Sequence, residues 1–219
     1  MGDRALLVEL GDEISPAINR KVRTLFVRLK DCDFKGIKEL VPGYRSLMVV
    51  YDSLALSVSL LKSQIGELCK TLDDFQLSNA RTVEIPVAYG GQYGPDLEWV
   101  ADYHKIAPED VVRLHIQPIY QVYMIGFMPG YPYMGEVVDA LVTPRRKTPR
   151  THVARGSVGI AQRQTGIYSV ASPGGWQIIG RTPVHLFDPH KKPPSLLEMG
   201  DRVKFVAIDA EEMDRWREP

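Results

Sequence analysis

The side chains of this sequence best suited to meeting a ligand lie between Tyr123 and Pro183, on a backbone punctuated by glycine and proline. Arg150 sits in Thr148-Pro149-Arg150-Thr151. Proline stiffens that loop, and a guanidinium held on a stiff loop suits two-point binding of a carboxylate or phosphate, or else a structural ion pair. Gln164 and Tyr168 flank Gly166. The Gln amide donates and accepts at once, so it suits a lactam or peptide-like group, and equally an exposed turn. Trp176 follows Gly174-Gly175 and fits either a pocket wall or an anchor of the core. Arg181, just past Gly180, stands near the end of a strand pattern, where it would face the same cleft. His115 and His185 are candidate acid–base groups, imidazole being the side chain whose ordinary pKa lies nearest neutrality, although a lone histidine on an apolar face more often belongs to the core.

Several familiar chemistries are missing from the pattern. There is no G-x-x-x-x-G-K-[ST] run, so no P-loop lysine holds a nucleotide, and no G-x-G-x-x-G follows a strand. The five histidines have no tight ligand spacing, and no metal site is expected. Gly156-Ser157-Val158-Gly159 is not a G-x-S-x-G nucleophile elbow, and Ser157 reads as a strand residue. No Ala-Met-Lys-Met site is present, so no biotin is expected on this chain. No residue is assigned a chemical step.

The elements that position these side chains fall into two textures. Up to about residue 88 the chain shows clear periods: a strand over Ala5–Leu10, a helix capped by Ser15-Pro16 with Ile18, Val22, Leu25 and Leu29 on one face, and strands over Gly36–Val41 and Ser46–Tyr51 joined at Pro42-Gly43. Asp52-Ser53 caps a second helix carrying Val58, Leu61, Ile65 and Leu68, and Arg81–Val87 is a further strand. The order β-α-β-β-α-β predicts a ferredoxin-like α/β domain over residues 1–88. Tyr89-Gly90-Gly91 opens a loop that could serve as a hinge, Asp96 caps a helix to His104, and Pro108 opens another to about His115. From Ile119 onward short strands alternate with Gly and Pro: Ile119–Ile125, Ser157–Ala161, Ile167–Val170, Trp176–Gly180, Val184–Phe187 and Arg202–Ile208. That rhythm predicts a β-barrel or sandwich in a second domain, residues 89–219, and an α+β chain as a whole.

Lys and Arg together number 27, as do Asp and Glu, so no broad field recruits nucleic acid. The basic run Arg145-Arg146-Lys147 is local and reads as a solvated loop or a site for an anion or acidic partner. The two cysteines, Cys32 and Cys69, the absence of a signal-peptide pattern, and the lack of an apolar run of membrane-spanning length point to a reduced, cytoplasmic protein. Gly2 lacks the Ser or Thr at position 6 that myristoylation requires.

Taken together, Tyr123-Met124-Ile125-Gly126-Phe127-Met128-Pro129-Gly130-Tyr131-Pro132-Tyr133, Thr148-Pro149-Arg150, Gly156-Ser157-Val158-Gly159, Gln164-Thr165-Gly166-Ile167-Tyr168 and Ser172-Pro173-Gly174-Gly175-Trp176 resemble the Kip-inhibitor, allophanate hydrolase subunit 1 or carboxyltransferase subdomain family. Asp3-Arg4-Ala5-Leu6-Leu7-Val8 and Pro42-Gly43-Tyr44-Arg45-Ser46-Leu47 fit it too, so the resemblance spans essentially the whole chain. Val153-Ala154-Arg155-Gly156 departs from it, where a Val-Pro-Ala-Gly-like sequence is more usual. The resemblance implies a cyclophilin-like barrel as the second domain. It also implies a cleft shared with a larger carboxyltransferase-like subunit of the 5-oxoprolinase C type, and a ring-opening subunit of the A type. Bacterial members include the B subunit of 5-oxoprolinase, which would work with ATP, and Mg2+ in the complex, to open 5-oxo-L-proline to L-glutamate. In that role Arg150 would take the anionic group, Gln164 and Tyr168 the polar contacts, and Trp176 and Phe127 the walls. Two other roles of the family are inhibition of a sensor histidine kinase by binding it, and a carboxyltransferase role in urea metabolism with a biotinylated partner.

Overall fold

The computed structural model describes residues 3–32, 34–77 and 80–216; Gly2, named above, lies outside them. The chain divides into two compact units, residues 1–79 and 80–219.

The first unit holds β1 (Ala5–Glu9), α1 (Pro16–Asp31), β2 (Ile37–Pro42), β3 (Ser46–Tyr51) and α2 (Val58–Cys69). Its three strands lie in the order β1-β3-β2, both pairs antiparallel. Ser15 caps α1 by accepting from the Ile18 amide, and Pro16 takes the first turn, where its missing N–H costs nothing. The α1 stripe of Val22, Leu25 and Leu29 packs with Leu47, Val49 and Leu61 into one core. The second helix starts later than its pattern suggested: Ser57 is the cap, while the Asp52 carboxylate accepts from the Leu54 amide in the preceding turn.

The second unit is a closed barrel of β4 (Thr82–Tyr89), β5 (Tyr120–Ile125), β6 (Pro132–Gly135), β8 (Ser157–Ala161), β9 (Gln164–Ile167), β11 (Gln177–Arg181) and β12 (Arg202–Ile208), in the order β11-β4-β12-β5-β6-β9-β8. All neighbours are antiparallel except β4 and β12, which run parallel from Thr82↔Arg202 to Ala88↔Ile208. β7 (Arg150–Val153) and β10 (Ser172–Gly174) form a separate two-stranded ribbon, and α3 (Leu97–His104) and α4 (Pro108–Ile116) contribute Val100 and Val111 to the barrel core. A short α5 (Ala210–Arg215) follows β12.

The ferredoxin-like expectation needs correction at its last strand. Residues 82–89 join the barrel, with Ile85 and Val87 fully buried in its core, so the first sheet keeps three strands and the barrel already begins at β4. The physical reason is that alternation marks a half-buried strand without saying which sheet will bury it. The loop expected to act as a hinge is pinned to the barrel, because Gly90 and Asp96 donate their amides to the carbonyls of Ile179 and Ile178 at 3.1 and 2.9 Å. Val184–Phe187 forms no strand beyond a single bridge from Phe187 to Ser195, and the strand placed at 167–170 lies instead at 164–167. No helix among the described residues is long and apolar enough to cross a membrane.

Candidate functional site

Asp96 organises one face of the barrel. Its position before α3 suggested a helix cap, yet its side chain makes no capping hydrogen bond. The carboxylate is buried and accepts from Arg150 through both Nη atoms, at 2.8 and 2.7 Å, from Arg146 Nη1 at 3.1 Å, and from the Ile178 amide at 2.6 Å. A two-pronged guanidinium–carboxylate pair is among the stronger polar contacts available, and here the backbone donor completes it. It ties the segment 146–150 to the start of α3 and to β11 in one cross-link.

The tied segment forms one wall of a cavity of about 640 Å³. Arg145, Arg146, Lys147 and Thr148 of that segment line it together with Trp99 and Tyr103 of α3. The two rings, four residues apart and therefore on one helix face, stack with centroids 5.3 Å apart and planes 20° apart. Gln177 also lines it, its amide donating to the Pro144 carbonyl at 3.1 Å.

A cluster of aromatic rings lies beside this cavity. The alternation of β8 and β9 sends Val158, Ile160 and Ile167 into the barrel core and leaves Ala161 on the other face, with Tyr131, Val153, Tyr168, Trp176 and Ile178. Tyr131 is the hub, 5.3 Å from Tyr168 and 5.9 Å from Trp176, both edge-on. Gly166 makes room for it: a Cβ there would stand 2.6 Å from the Tyr131 hydroxyl. Burial raises the Tyr168 and Tyr133 hydroxyl pKa values above the usual phenol value, and the Arg145 charge pulls both part of the way back. The Arg145 guanidinium therefore stands close enough to be felt by the tyrosines while also lining the cavity.

Residues 1–197 match the carboxyltransferase domain, subdomain C and D. This chain belongs to that family. It is 40% identical to the B subunit of 5-oxoprolinase from Bacillus subtilis (strain 168) over 229 residues, covering 100% of this chain and 95% of that protein. It is 48% identical to the B subunit of 5-oxoprolinase from Haemophilus influenzae over 174 residues, 78% of this chain and 80% of that one. Among solved structures it is similar to TTHA0988, with a TM-score of 0.82 and 38% identity. That match covers 94% of this chain but 40% of the other, so this carboxyltransferase-family chain spans less than half the length of that relative.

The structure of this carboxyltransferase-family chain gathers some of the residues expected at the site and separates others. Arg150 is close enough to Tyr168 for its charge to act on the hydroxyl, but its guanidinium is engaged by Asp96. Tyr168 and Trp176 are buried, 1% and 5% exposed, so they are core anchors of the cluster more than walls of an open pocket. Phe127 is 64% exposed at φ +65°, a backbone region that bulky residues seldom adopt, and its ring meets Tyr131 edge-on at 5.7 Å. Gln164 opens β9 opposite Gly135 and Ala161, four positions from Tyr168 and so roughly 13 Å along the strand. Arg181 ends β11 at the far end from Trp176, donating Nε to the Arg155 carbonyl at 2.9 Å. His185 Nδ1 lies 3.0 Å from Arg155 Nη1, at the surface.

His115 is the buried histidine. Its Nδ1 lies 2.8 Å from the Tyr89 hydroxyl and its Nε2 2.9 Å from Thr165 Oγ1, which itself donates to the Gly159 carbonyl at 3.1 Å. With the Thr165 proton given to Gly159, Nε2 must carry the hydrogen and Nδ1 must accept from Tyr89: a neutral imidazole with one tautomer. Burial pushes its pKa down to about 3, which suits a core strut and removes it from acid–base work near neutrality.

The sequence reading missed Trp99, Tyr103 and Asp96 as site residues. The signal available was the i, i+4 aromatic pair opposite the apolar face of Leu97, Val100 and Ala101.

Proposed function

We propose that this chain is the B subunit of an ATP-dependent 5-oxoprolinase, a non-autonomous part of an enzyme that hydrolyses 5-oxo-L-proline to L-glutamate with hydrolysis of ATP to ADP and phosphate. The observation that carries this reading is the end-to-end similarity to the B subunit of 5-oxoprolinase from B. subtilis, 40% identical across 100% of this chain. The chemistry of the barrel face is compatible with it. A rigid loop of cations, an aromatic platform and a tyrosine cluster bind and orient anionic or amide-bearing molecules. His115, the one buried histidine, is locked neutral in the core. In this reading the groups that open the lactam belong to partners: a larger carboxyltransferase-like subunit and a ring-opening subunit. Mg2+ accompanies the ATP, and the barrel is of the cyclophilin type.

The test is reconstitution. The three purified subunits are mixed, and 5-oxoproline-dependent release of phosphate and glutamate is followed. The expected result is turnover with all three chains and a fall to background when this one is left out. Undiminished turnover without it would remove the chain from the enzyme.

A further inference from the structure

The cavity between α3 and the 144–148 loop has a chemistry that the lactam does not require. A small saturated ring needs hydrogen bonds and little space, whereas this hollow, about 640 Å³, lies within the roughly 300–1,000 Å³ typical of sites for larger organic ligands. One wall is a flat aromatic surface. Trp99 and Tyr103 are 45% and 51% exposed although they stack on each other, which leaves an open ring face where a soluble surface ordinarily carries polar groups.

The loop that also lines the cavity is cationic, and the charge is available. Four charged residues line the cavity: Asp96, Arg145, Arg146 and Lys147. The Asp96 carboxylate is engaged by Arg146, by Arg150 and by the Ile178 amide. Arg145 and Lys147 are exposed and make no ion pair with any described residue. The nearby acids of α3, Glu98 and Asp102, sit on the neighbouring helical stripe, since successive residues turn by about 100°, and do not line the hollow. Two cations without an ion pair therefore line the same cavity as an aromatic platform. Stacking on Trp and Tyr recognises any planar heterocycle, and a guanidinium with an ammonium recognises phosphate oxygens.

We infer that this cavity binds a nucleoside phosphate, with the base laid against Trp99 and Tyr103 and the phosphates held by Arg145 and Lys147. The geometry selects the ligand class; the choice of ATP within that class rests on the function proposed above. Asp96 acts as a positioning residue, since its grip on Arg146 and Arg150 holds the loop that carries both phosphate-binding cations.

Calorimetric titration of the full chain with ATP, tripolyphosphate and adenosine tests this, and all the substitutions fall at exposed positions. One saturable ATP site is expected. Trp99→Ala should weaken ATP and adenosine alike by roughly fivefold or more, the loss of one stacked base. The double variant Arg145→Ala/Lys147→Ala should weaken ATP and tripolyphosphate, leave adenosine unchanged, and flatten the salt dependence of ATP binding. Absence of saturable ATP binding, both by the chain alone and in the reconstituted complex, would overturn the inference. So would an affinity that neither variant alters, or variants that bind ATP normally and instead fail to capture the larger subunit, which would make this face a protein interface. The binding readout needs no turnover. Intact nucleotide binding with no 5-oxoproline-dependent activity would count against the proposed enzyme and leave the site standing.

Discussion

Removing the Asp96 carboxylate should unlock the barrel face, and the structure allows the cost to be worked out. Asp96→Ala leaves the Ile178 amide buried without its acceptor at 2.6 Å and strips Arg150 of both its short contacts. An orphaned buried donor costs about 1–3 kcal/mol, and breaking a buried ion pair from one side costs about 3–5 kcal/mol. The Arg150 side chain retains 24% exposure and recovers some hydration, so the lower end applies, about 3 kcal/mol for Asp96→Ala. Arg150→Ala should cost less, about 2 kcal/mol, because Arg146 and the Ile178 amide still hold the carboxylate. Asp96→Asn keeps an oxygen for Ile178 and should fall between wild type and alanine. The assay is urea unfolding followed by the fluorescence of Trp176, which adjoins the β11 segment that Asp96 grips. The double-mutant cycle should give a coupling between positions 96 and 150 of about 1.5 kcal/mol or more, well above the additivity expected of independent sites. A coupling below about 0.5 kcal/mol, or a Trp176 signal unmoved by Asp96→Ala, would refute the claim that this pair fastens the loop.

Two further outcomes follow from the interior. His115 has its folded pKa depressed from 6.5 to about 3, so the unfolded chain binds the extra proton first as pH falls. Its contribution is fully present above pH 6.5 and declines through the window down to about 3, losing about 3 kcal/mol by pH 4. Urea titrations at several pH values should show this slope, and imidazole nitrogen resonances should show a single Nε2–H tautomer that does not titrate between pH 8 and 5. Gly166→Ala should destabilise the second unit by roughly 1–3 kcal/mol, because its new methyl would meet the Tyr131 hydroxyl at 2.6 Å. Tyr131→Phe in the same chain should return part of that loss in thermal melts.

Much of the architecture was legible from residue patterns. Ser15-Pro16 marks the start of α1, and Ser157–Ala161 and Arg202–Ile208 read as strands with the bounds they have in the structure. What escaped was the partnership of elements. Val83, Ile85 and Val87 alternate as clearly for a four-stranded sheet as for a barrel stave, and only the three-dimensional pairing with β12 decides. β7 and β10 escaped because each is only three or four residues long, and β10 is made of the turn-forming residues Ser172, Pro173 and Gly174. The site was half visible. Arg145-Arg146-Lys147 stood out as a basic run, but the acid that anchors it is 50 positions away from Arg146, a distance no local pattern spans. Arg150 was chosen for a charge that the fold uses internally. Trp176 was expected as a wall and Tyr168 as a polar contact, and their burial makes both the stiff backing of a surface whose exposed rings, Trp99 and Tyr103, belong to a helix read only for its cap.

The parallel pairing of β4 with β12 also bears on how the protein is made. Arg81 and Asp201, which bond beside the start of that pairing, are 120 positions apart. Synthesis delivers β4 early, and its edge toward β12 stays unfilled while every intervening strand emerges. The first unit completes its three-stranded sheet from local contacts, whereas the barrel is left as an open sheet until its last stave arrives. Contacts of such long sequence separation form late and slowly. For that interval the nascent chain exposes β4 with Ile85 and Val87 uncovered, an adhesive edge that the cell must shield and that a chain shortened before β12 would carry permanently.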